Sequence, residues 1–125
     1  MPLMQVKIDT REKFTMFTPD TDYLSDNLTA ELTNVIVPYL QNDIKNVILS
    51  LKNVGGIDDI AAEAVVKLQQ QFYENNASFV ICEMQAAVED KFDELELLDL
   101  MNVTPTESEA WDIVQMEEIE RELLD

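Results

Sequence analysis

VILSLKNVGGIDDIAAEAV, Val47 to Val65, is the stretch whose reading decides the fold. Its start belongs to a nearly continuous apolar run, Asn46 to Leu51, as a central strand buried on both faces requires. Its last part starts a helical pattern. Ile60, Ala61, Ala64, Val65, Leu68 and Phe72 lie on one face of a 3.6-residue period, which predicts a helix from about Asp58 to about Tyr73. Between strand and helix stand Gly55 and Gly56, the only glycines among 125 residues. A turn this tight is expected to use glycine for its tolerance of positive φ.

Working outward, the flanking segments alternate between strand and helix periods. Gln5 to Thr10 and Phe14 to Thr18 read as two strands joined by a turn at Arg11, Glu12 and Lys13. The segment TPDTDYLSDN, Thr18 to Asn27, is rich in turn and capping residues and reads as a loop. Leu28, Leu32, Val35, Ile36 and Tyr39 predict a helix over Asn27 to Leu40 that kinks or ends near Pro38, where a backbone donor is lost. Ser78 to Cys82 reads as a second buried strand and Ala86 to Leu95 as a helix with Val88, Phe92 and Leu95 inward. Leu97 to Val103 is expected to end in a short strand. Thr106 and Glu109 have the spacing of a capping box, so a last helix begins there. Ile113, Met116, Ile119 and Leu123 are expected to form its buried stripe, with Trp111 packed along an edge. The order β-β-α-β-α-β-α-(β)-α implies a partly parallel sheet with helical crossovers, and residues 1–125 read as a single domain.

Composition narrows the function. Eight basic and 26 acidic residues leave a net charge of −18, with no histidine. That charge argues against nucleic acid and against an anionic membrane as direct partners. It suits either a plain acidic surface or a basic protein partner. No apolar run approaches the roughly 20 residues that span a bilayer, and no leader pattern opens the chain, so it is expected to be cytoplasmic. The single Cys82 reads as a small core residue.

The Gly55-Gly56-Ile57-Asp58-Asp59 loop leaves the carboxyl end of a central strand, where open α/β sheets place their ligands. It is not a phosphate cradle, because it lacks the lysine and the Ser/Thr of a P-loop. Asp58 or Asp59 serves equally well as a plain helix N-cap, and both suit the positive end of the helix dipole. Asp58, Asp59 and Glu63 as oxygen ligands of Mg²⁺ are a weaker alternative. No Ser/His, Cys/His or paired-acid arrangement can be assembled. The chain reads as a non-enzyme without a cofactor.

The same stretch resembles the STAS domain, the fold of bacterial anti-sigma factor antagonists, and the likeness extends from about Met4 to Leu124. Val47, Ile48, Leu49, Leu51, Val54, Ile57 and Asp58 fit the family pattern without a gap. The resemblance implies an α/β fold, a mixed β-sheet of four or five strands with about four helices packed against it. It implies a protein–protein interaction module acting in signalling and transcription regulation. In that family a serine pair follows the aspartate, and the second serine is phosphorylated by an anti-sigma factor of the kinase-type ATPase class. Here Asp59 and Ile60 stand in place of the pair and Ala61 in place of the next glycine. The usual phosphoacceptor is therefore expected to be missing. Gly55, Gly56, Asp58, Asp59, Ile60 and Glu63 are the expected partner-binding residues. Ile60 either contacts the partner or turns inward as the start of the apolar stripe. Asp59 would carry part of a phosphoserine's charge. The alternative is a STAS-like accessory or scaffold subunit of a transporter or sensor complex.

Overall fold

The computed structural model describes residues 5–124; the Met4 end of the resemblance, and residues 1–4 and 125 of the expected domain, lie outside them. The elements in chain order are β1 (Val6–Thr10), β2 (Thr15–Pro19), β3 (Tyr23–Leu24), α1 (Asp26–Ile36), β4 (Val47–Ser50), β5 (Gly56–Ile57), α2 (Asp59–Glu74), β6 (Phe79–Cys82), α3 (Ala86–Glu94), β7 (Val103–Thr104) and α4 (Glu107–Leu124). Single 3₁₀ segments follow α1 (Val37–Gln41) and α3 (Leu98–Leu100). The first carries Pro38, so the helix does end where proline removes the donor.

Among the described residues, five strands form one mixed sheet in the order β1-β2-β4-β6-β7. The β1–β2 hairpin is antiparallel and every other pairing in the sheet is parallel. The strands advance across the sheet in one direction, and right-handed crossovers then put each connecting helix on the same face. On that face α1, α2 and α3 cover Phe17, Val47, Leu49, Phe79 and Ile81. The alternate residues Met16, Ile48, Val80 and Cys82 point to the other face, where Ala110 and Val114 of α4 meet them. β4 and β6 are thus buried on both sides, as their apolar runs require.

Three sequence-based expectations are corrected here. The Thr18–Asn27 segment is more than a loop: Pro19 closes β2, and Tyr23–Leu24 pairs in parallel with Gly56–Ile57 as a two-stranded ribbon. The α2 stripe runs through Ala61, Ala62, Val65, Val66, Leu68 and Phe72, with Ala64 only half-buried and Ile60 exposed. Of the expected α4 stripe Ile113 does pack against the inner cluster, but the rest faces the opposite way. Ala110 and Val114 are its buried residues, while Met116, Ile119 and Leu123 are 59%, 56% and 80% exposed. Thr106 does cap α4, accepting from the Glu109 N–H at 3.2 Å, but its hydroxyl donates to the Glu109 carboxylate at 2.9 Å.

Polar clamps tie the layers together. The Asn46 amide donates to the Lys13 carbonyl at 3.0 Å and accepts from the Ser78 N–H at 2.9 Å. Arg121, in the last turns of α4, donates to Asn46 Oδ1 at 3.2 Å and to Ser78 Oγ at 3.1 Å. At the β7 edge, buried Gln69 donates to the carbonyls of Phe79 and Asn102 and accepts from the Asn102 N–H. Asn102 also donates to Tyr73 Oη at 2.6 Å and to Glu117 at 3.2 Å, and Tyr73 donates to Glu117 at 2.8 Å. Burial, above all, holds the Tyr73 phenol above its ordinary range.

Candidate docking surface at the start of α2

The turn after β4 is built by close approach. Neither glycine has positive φ, which corrects the expected reason for their presence. A Cβ on Gly55 would lie 3.2 Å from the Asp22 carbonyl oxygen, and one on Gly56 would lie 2.9 Å from the Tyr23 ring. Both glycine N–H groups donate to that same Asp22 carbonyl, at 2.7 and 3.1 Å. Glycine is what lets β3 and its turn lie against this backbone. The left-handed positions are taken by other residues, Asn76 after α2, Glu83 after β6 and Glu96 after α3.

Asp58 is the N-cap of α2 and joins two helix starts. Its Oδ1 accepts from the Ala61 N–H at 2.7 Å, and its Oδ2 accepts from the Asp26 N–H, in the first turn of α1, at 3.0 Å. Its own N–H donates to the Leu24 carbonyl at 3.2 Å. Both carboxylate oxygens are thereby engaged by orphan amides of neighbouring helices. Asp58 thus serves as a helix cap for two elements at once. Among the described residues no three acidic, cysteine or histidine side chains gather as a metal group.

The remaining expected residues separate into turn and surface. Gly56 lies beneath Tyr23, which is 51% exposed, and Gly55 lies against the Asp22 carbonyl. Asp59, Ile60 and Glu63 share the outward side of the first turns of α2. Ile60 is 61% exposed and does not turn inward as the start of the apolar stripe. Asp59 is ion-paired with Lys91 of α3 at 2.9 Å, and Lys91 also reaches Glu94 at 3.7 Å. The Asp59 hydrogen bond holds the Lys91 ammonium above its ordinary pKa. Part of the negative charge expected at Asp59 is therefore neutralised locally.

Sequence reasoning missed Tyr23 and Lys91. An aromatic residue inside a turn-rich loop was the available signal for Tyr23. Lys91 carries no local signal, since its pairing depends on how α3 packs beside α2. Nearby, the Ser50 hydroxyl donates to the Glu83 carboxylate at 3.0 Å. Cys82 is fully buried at the end of β6, and burial, with Glu83 and Glu107 adding to it, pushes its thiol up to about 12. A thiol so protonated is a core residue and a poor nucleophile. No helix among the described residues is long and apolar enough to cross a membrane.

A family model described as the STAS domain matches residues 5–110. Among solved structures, an anti-sigma-factor antagonist (STAS) domain protein from Planctomyces limnophilus superposes with a TM-score of 0.75 at 13% identity, over 88% of this chain and 97% of that one. The Bacillus cell fate determinant SpoIIAA in its phosphorylated form gives a TM-score of 0.63 at 16% identity, over 89% and 98% of the two chains. The murine anion transporter Slc26a9 in its inward-facing state gives 0.71 at 15% identity, over 86% of this chain but 18% of the transporter. No curated protein sequence matches the chain.

Proposed function

The chain belongs to the STAS domain family, and from that premise we propose that it is a non-enzymatic docking module whose partner-binding surface is the start of α2. The observation that carries the reading is the first turn of α2. Ile60 stands exposed there, between Asp59 and Glu63, on a helix start held rigid by Asp58. An exposed aliphatic on a rigid, charged rim is how small interfaces seat an anchor residue. Gly56 lets the half-exposed Tyr23 pack against the turn that leads into this helix.

The partner class that the family suggests is an anti-sigma factor of the kinase-type ATPase class. Residues 55–63 contain no serine, threonine or tyrosine. The module therefore docks without the usual phosphoserine switch. The Asp59–Lys91 pair strengthens this reading, because a paired carboxylate is a poor stand-in for a doubly charged phosphate.

The test uses the whole chain as bait, with Ile60→Ser and Asp59→Lys beside the parent. An ATPase of the kinase type should be retained by the parent and lost, about tenfold or more, by Ile60→Ser. Asp59→Lys should slow association with a basic partner and flatten its salt dependence. Phosphate mapping after incubation with that ATPase and ATP should find none within residues 55–63. Retention of a membrane-transport subunit in its place would favour the scaffold alternative. Unchanged capture by both variants would move the interface off α2.

A further inference from the structure

Beyond the α2 surface, we infer that the outer side of α4 is a second docking surface, and that its occupant is a basic amphipathic helix of another protein. Met116, Ile119 and Leu123 lie on the side of α4 opposite Ala110 and Val114, so the residues that hold the helix to the sheet leave these free. Their spacing of three and four residues is that of successive a, d and a positions of a heptad. Apolar residues at that spacing form a seam that another helix covers well, and water covers badly.

The surrounding charge selects the occupant. In heptad terms Glu120 falls at e and Glu122 at g, and Asp112 occupies the d position before Met116. Arg121 is the only basic residue of α4, and it is turned inward onto Asn46 and Ser78. The seam is thus flanked by carboxylates without a cation of its own helix beside them. A second copy would bring the same carboxylates to the same positions and be repelled, as like charges at e and g specify against pairing. An anionic lipid surface is disfavoured for the same reason. A helix with leucine or isoleucine on one stripe and lysine or arginine beside it is complementary in both respects. The seam covers less than two heptads, which suits a weak and reversible contact. It lies on the face of the sheet opposite α1, α2 and α3, so both surfaces can be occupied together.

The test titrates the chain into two labelled synthetic helices of about 21 residues, followed by fluorescence anisotropy. One carries leucine at a and d with lysine at e and g; the other carries glutamate at e and g. The lysine helix should bind with a dissociation constant of about 10 μM and the glutamate helix at least about tenfold more weakly. Met116→Ser with Ile119→Ser should weaken the lysine helix about tenfold or more while leaving the thermal midpoint in place, since both side chains are exposed. Glu120→Lys with Glu122→Lys should invert the preference between the two helices. Sedimentation at about 100 μM should show no dimer that Ile119→Ser dissolves. The proposal is overturned by no binding of the lysine helix, by equal binding of both, by binding that the serine variants leave intact, or by a dimer that Ile119→Ser does dissolve. Ile60→Ser should leave this titration unchanged, which separates the second surface from the first.

Discussion

The two longest helices, α2 and α4, both carry apolar residues at helical spacing and use them in opposite ways. α2 lies between α1 and α3 over the broad face of the sheet and buries seven side chains. α4 lies alone on the other face and buries Ala110 and Val114. Small residues let it approach the short strands closely. Polar bonds from Arg121 and Glu117 then hold its second half. Met116, Ile119 and Leu123 are left facing out. Periodicity reveals that a helix has a stripe; the number of layers available to cover it decides which side the core takes.

The sharpest way to break this comparison is to truncate each helix on its apolar side. Phe72 is fully buried and stacks edge-on against Phe79 with ring centroids 5.2 Å apart. Phe72→Ala should cost about 3–5 kcal/mol, read as a shifted denaturant midpoint. Met116→Ala, on the other helix, should stay within about 0.5 kcal/mol of the parent. Similar losses for both would mean that α4 is covered in solution.

Next in size is the joint at the α2 start. Asp58→Ala removes acceptors from two helix N-termini at once and should cost about 2 kcal/mol. Asp58→Asn keeps a single side-chain acceptor and should cost less. A loss confined to a few tenths would mean that water replaces the carboxylate without penalty, and that the platform under Ile60 is not rigid.

Much of this was legible in the sequence, for reasons that differ by element. β4, β6 and α2 are strongly patterned because packing on both sides leaves little choice of residue. The β3–β5 ribbon was not legible, since two-residue strands have no period to detect. The sidedness of α4 was hidden because its inner contacts are small or polar and its outer ones are large and apolar. At the candidate site Asp58 and Asp59 were both readable as N-caps from type and place, and the structure gives the role to Asp58. Its second bond, to Asp26, spans 32 residues and depends on tertiary packing. The glycine pair was found but misexplained: what requires it is the Asp22 carbonyl and the Tyr23 ring, neither of which has a local signature.

That last point gives a smaller effect of opposite sign. Glu96 holds φ of 59° after α3, and the Leu97 N–H returns to the Phe92 carbonyl at 2.9 Å, as in a Schellman ending. A side chain in the left-handed region costs about 1 kcal/mol, so Glu96→Gly should stabilise by about that amount. Gly55→Ala should destabilise, although its φ is negative, because the added Cβ meets backbone. Opposite signs from these two variants would separate conformational need from close approach.

The smallest expected effect carries the most functional weight. Ile60 begins α2 on its outward side, so Ile60→Ser should change stability by no more than about 0.5 kcal/mol. Were it a core residue, exchange for a buried polar side chain would cost about 2–4 kcal/mol. Ile119→Ser on α4 should be as mild, for the same reason of exposure. Thermal midpoints near the parent for both, together with loss of α2 binding in the first alone and of helix-peptide binding in the second alone, would assign each exposed aliphatic to its own partner. A large fall in the Ile60→Ser midpoint would instead return Ile60 to the core, and leave the start of α2 with charge but no apolar anchor.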